Sequence, residues 1–140
     1  MTIEIDGTGP DRTLNGRLTL WLYRVAALAL FGLGLFYWVR LVGIYGGSLW
    51  RFDLMPTQWK TAAAALAVLC PVAGVGLWMA VSWGVVVWVI VALVEAGIAC
   101  GFGAEAQMNG VIAIAHGLGL LVFAGLRLNA WLGGRRAVKV

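Results

Sequence analysis

Charge is what this chain has least of. Only 11% of its 140 residues are Asp, Glu, Lys or Arg, against roughly a quarter in soluble domains. A soluble domain of this length has too much surface to hide a 62% hydrophobic composition. The few cations are dispersed, which argues against a nucleic-acid partner although the net charge is +4. A single histidine excludes bis-histidine haem ligation, and no His-Glu-x-x-His or other metal-ligand cluster occurs. Cys70 and Cys100 form no Cys-x-x-Cys and fall in different apolar runs, so they read as two inert thiols. No nucleophile–base pair is visible, so the expectation is a protein that is not an enzyme and carries no cofactor. Alternation of apolar and polar residues, which a membrane β-barrel requires, is also missing.

What the chain does have is apolar length. Four runs, at about residues 18–42, 57–79, 83–101 and 108–126, each approach the roughly 20 residues that cross a hydrocarbon core. Lipid offers backbone groups no partners, so these runs must be helical. The predicted fold is all-α: a four-helix transmembrane bundle over residues 18–130, between a polar tail at 1–17 and a basic tail at 131–140. No removable signal peptide is expected. "AVSWG" around Ser82 and "FGAEAQ" at 102–107 are hairpin turns. Pro71 should kink the second span, and "GLGLF" and "GVGLW" lie inside spans, where their glycines allow close helix packing.

The first connection is longer. Gly43, Gly46 and Gly47 end the first helix, and Pro56 suits the first turn of the second. Between them Trp50, Phe52, Leu54 and Met55 alternate with Arg51 and Asp53. That mixture predicts a segment lying in the membrane interface, with Trp50, Arg51, Phe52 and Asp53 the candidates for a partner or lipid contact if it is more than a connector.

Lys and Arg set the orientation. Arg12, Arg17 and Arg24 lie at one end of the chain and Arg127, Arg135, Arg136 and Lys139 at the other. Four spans bring these to one side, against Arg40, Arg51 and Lys60 opposite, so both termini are expected in the cytoplasm. Tryptophan agrees: Trp21, Trp78, Trp83 and Trp131 fall at one boundary, Trp38, Trp50 and Trp59 at the other, and only Trp88 inside a span. The expected location is a bacterial inner membrane, with the lipid bilayer as first partner.

One acid breaks the third run. Glu95 lies within "VALVEAGIAC" among apolar or small residues. An acid facing lipid costs at least about 2.5 kcal/mol, so Glu95 should face the bundle, protonated or paired. Ala92, Ala96 and Cys100 recur every fourth residue near it, and His116 lies on a stripe of the fourth run with Asn109, Ala113, Gly119 and Phe123. Counted from the turn that joins these runs, Glu95 lies roughly 9 Å and His116 roughly 12 Å deep. Glu95 and His116 are therefore the candidate intramembrane pair, with Arg40 the second candidate partner. Arg24 and Arg40 can snorkel to the interfaces. The pair is either a clamp that fixes helix register or a proton relay, and the want of a wider polar path favours the clamp.

"WLYRVAALALFGLGLFYW", "WRFDLMP", "PVAGVGLW" followed by "WGVVVW", and the later Glu95 resemble a family of short four-span inner-membrane proteins of Gram-negative bacteria, a domain of unknown function. The Arg early in the first span, Arg24, also resembles the broader DoxX-like four-helix membrane proteins. Neither resemblance implies an activity. The reading is an accessory or interaction protein, in a larger membrane complex or a homo-oligomer; the alternative is a small proton-coupled transporter using Glu95 and His116.

Overall fold

A computed structural model of the chain describes residues 14–47, 50–101 and 107–137. Its order is α1 (Leu14–Val42), α2 (Thr57–Trp78), α3 (Ser82–Gly101) and α4 (Gln107–Ala137). There is no strand among the described residues. Each helix is long and apolar enough to cross a membrane, which makes this a multi-pass membrane protein. α4 outruns its predicted span, continuing as helix through Arg127 to Ala137, and α1 starts inside the predicted tail. Lys and Arg have good helix propensity, so a helix need not stop where its apolar run stops. The turn over 102–106, the tail to residue 13 and the last three residues lie outside the described residues.

The helices pack as a ring: α1 against α2 and α4, and α3 against α2 and α4, with no close backbone approach across either diagonal. α1 buries Tyr23, Ala27, Leu30, Gly34, Tyr37 and Arg40, in three- and four-residue steps that keep one seam toward the bundle axis. α2 is the best-covered helix; Trp59, Ala63, Leu66, Cys70, Ala73 and Leu77 all lie in the core. The buried line of α3 is Trp88, Val91, Glu95 and Ile98. The expected Ala92–Ala96–Cys100 stripe flanks that line, and Cys100 is exposed. α4 contributes one buried residue among those described, His116.

Small residues set the closest approaches, as lipid-immersed bundles require. Pro71 does not end α2. Its ring lies against Gly34, where an added Cβ would come within 2.7 Å of the Pro71 Cδ. At the α2–α3 hairpin a Cβ on Gly76 would lie 2.5 Å from the Gly84 Cα, so the two backbones touch. The turn itself closes on Ala80, which adopts φ 55°, while the Val81 amide donates to the Gly76 carbonyl at 3.1 Å. A left-handed residue just past a helix end is normally glycine.

Trp21, Trp38, Trp78, Trp83 and Trp131 are exposed, but Trp59, expected at a boundary, is 2% exposed and belongs to the core. An indole carries a large apolar area, and core burial outweighs its interfacial preference when a cation is at hand.

Two substitutions test this packing in thermal unfolding of the detergent-solubilised protein. Ala80→Gly removes the left-handed strain and should stabilise by about 1 kcal/mol. Gly84→Val should destabilise by about 3 kcal/mol or more, because neither backbone can withdraw.

Candidate functional site

Glu95 is fully buried at the centre of the bundle. The Tyr37 hydroxyl donates to its Oε1 at 2.6 Å. Tyr37 is on α1 and Glu95 on α3, so two long side chains bridge a diagonal that the backbones do not. Oε2 of Glu95 is buried without a hydrogen-bond partner. Glu95 thus faces the bundle as expected, but its partner is a tyrosine.

Arg40 follows Tyr37 by one helical turn and lies within electrostatic reach of Glu95. It does not snorkel: it is only 4% exposed. Four rings surround its guanidinium, with centroids at 5.5 Å for Phe36, 6.0 Å for Tyr37, 5.3 Å for Trp50 and 5.1 Å for Trp59. Guanidinium is weakly hydrated and stacks well on aromatic faces, which makes arginine the cation best suited to such a place.

The first loop supplies one of those rings. Trp50 meets Phe36 edge-on at 5.5 Å and Tyr45 at 5.5 Å, and Met55 is buried in the core. Arg51 and Asp53 pair with each other in bidentate fashion, at 2.8 and 3.1 Å, on the exposed side. Phe52 and Leu54 remain exposed on the chain itself, as they would in contact with lipid or a partner. An exposed ion pair contributes little to stability, so Trp50 and Met55 are what anchor this loop.

His116 belongs to a second centre. Its Nδ1 accepts a hydrogen bond from the Trp88 indole at 3.0 Å, and its Nε2 is buried without a partner. The expected Glu95–His116 pair is therefore corrected: each group is held by its own aromatic donor. The reason is depth. His116 is level with Trp88, seven residues before Glu95 on α3, which is roughly 10 Å along a helix. Counting inward from the two ends of the joining turn does not capture that difference.

Tyr37 and Trp88 were missed by reasoning from sequence. The available signal was an aromatic residue with a polar tip on the same face of a span as a charged residue: Tyr37 precedes Arg40 by three, and Trp88 precedes Glu95 by seven. Among the described residues no group of three His, Cys, Asp or Glu could hold a metal ion.

The chain matches the family of unknown function DUF6163 over residues 17–134, and it belongs to that family. This agrees with the expected resemblance to short four-span proteins of unknown function; a DoxX-like relationship is not among the findings. No curated protein and no solved structure matches it.

Separate centres at different depths should behave independently. In unfolding measurements, Glu95→Gln and His116→Leu should be additive within about 0.5 kcal/mol. Coupling above about 1 kcal/mol would restore the direct pair.

Proposed function

We propose, for this member of a family of unknown function, an accessory or interaction subunit of the bacterial inner membrane rather than an enzyme, with both termini cytoplasmic. The observation that carries this reading is the occupancy of the two buried ionisable groups. Tyr37 donates to Glu95 and Trp88 to His116, so each group ties two helices together. A clamp needs such bonds; a relay needs the two groups to exchange protons with each other, and Glu95 lies about two turns along α3 from the Trp88 that holds His116. α4 offers the partner surface. Val111, Ile114, Leu118, Leu121 and Leu128 all point away from the core, and Phe52 and Leu54 are separately exposed in the first loop.

The alternative, a small proton-coupled transporter, is favoured by one observation: Glu95 Oε2 and His116 Nε2 have no partner. Each could exchange a proton with water entering the bundle.

Glu95→Gln separates the two, because the amide oxygen still accepts from Tyr37 but cannot ionise. As a clamp, the Gln variant should fold and complement a deletion strain fully, while Glu95→Ala should fail to accumulate. A well-folded Gln variant without complementation would favour the transporter. Native-membrane crosslinking should yield a stoichiometric larger complex or a homo-oligomer. Reporter fusions at Asp6 and Val140 should read cytoplasm and a fusion in the Ser48–Asp53 loop periplasm; an external C-terminus would contradict the orientation.

A further inference from the structure

A cleft of about 320 Å³ opens between α1 and α4, below the Glu95 centre. Its walls are aliphatic, from Leu22, Ala29 and Leu33 on one side to Ile112 on the other, with Trp88 and His116 the polar-tipped residues in its lining. An added Cβ on Gly119 would lie 2.8 Å from the Trp88 ring. The indole is thus seated on the backbone of α4 and its plane is fixed.

The Trp88–His116 bond also fixes a tautomer. Indole N–H is a donor only, so His116 Nδ1 must be a bare acceptor and the ring proton sits on Nε2. His116 is 8% exposed and its Nε2–H has no partner. A buried donor left unsatisfied is costly, and the exceptions to full satisfaction call for a reason. The cleft is therefore an apolar slot whose lining includes a nearly buried indole and a histidine whose buried Nε2–H has no partner, about nine residues into α4.

We propose that this cleft binds the head group of a lipid-soluble quinone, one carbonyl oxygen of which accepts the His116 Nε2–H bond. The chemistry selects the class. Phospholipid carbonyls lie at the interface and acyl chains carry no acceptor at this depth, whereas a quinone brings a planar ring and a carbonyl into the hydrocarbon. The volume suits one substituted ring with the first carbons of its tail, at the lower end of the roughly 300–1,000 Å³ of small-molecule sites. Binding requires a small tilt of the imidazole about the Trp88 bond, since Nε2 is itself covered. No electron transfer is involved; the proposal is a binding site.

The test is titration of the purified full chain, in detergent, with decylubiquinone, read by quenching of tryptophan fluorescence. Saturable quenching is expected. Ala29→Phe fills the slot from the exposed side of α1 and should weaken binding at least about tenfold with an unchanged thermal midpoint. His116→Phe should weaken it to a similar degree. Decylbenzene, which has the tail and no carbonyl, should not compete. Equal affinity in wild type and Ala29→Phe would overturn the site. Competition by decylbenzene at equal concentration, or a co-purified phospholipid that the quinone cannot displace, would make the cleft a groove for alkyl chains and overturn the quinone.

Discussion

A hydrogen bond from Tyr37 to Glu95 crosses the bundle where the helix backbones do not meet. Lipid supplies no water to a carboxyl group, so Glu95 is tolerable only where the protein itself provides a donor. That requirement fixes the rotation of α1 and of α3 about their own axes. Tyr37 must face inward, which carries Tyr23, Ala27, Leu30 and Gly34 inward with it on the same seam. Glu95 must face inward too, and brings Trp88, Val91 and Ile98. α2 then fills the space between them through its alanines, and its proline fits because α1 presents Gly34.

The polar interior is consequently layered. At the loop end, Arg40 stands in its ring of aromatics, with Tyr37 and Glu95 beside it and Trp50 closing the ring from the first loop. Two helical turns away along α3, Trp88 holds His116. One face of α3 serves both layers, through residues seven apart. The helices are not used equally: α2 is enclosed, whereas α4 is tied to the rest by His116, by partly buried Leu120 and Phe123, and at its far end by the Asn15 side chain, which donates to the Leu126 carbonyl at 2.9 Å.

Most of this architecture was legible in the sequence. Hydrophobic length alone locates four helices, since nothing but a span explains runs of that kind. The inward orientation of Glu95 was legible too, from the cost of the alternative. Its partner was not. Periodicity orders residues around one helix, whereas a hydrogen bond across a diagonal depends on the relative height of two helices that do not adjoin. Height was inferred from helix ends, and α4 shows why that fails. Arg40 lies two residues before the end of α1, where a cation can snorkel, yet Trp50 and Trp59 come from elsewhere in the chain to enclose it. The pairing of Arg51 with Asp53 was legible because it is local.

The central claim is that Tyr37 and Glu95 act as one structural unit. A double-mutant cycle measures that directly, with Tyr37→Phe, Glu95→Leu (which removes the acceptor that Gln would keep) and the double variant unfolded reversibly under identical detergent conditions. A clamp requires a coupling of at least about 1 kcal/mol, above the roughly 0.6 kcal/mol average for hydrogen bonds between membrane helices. Additivity within about 0.3 kcal/mol would mean that the bond holds nothing together, and would contradict the account.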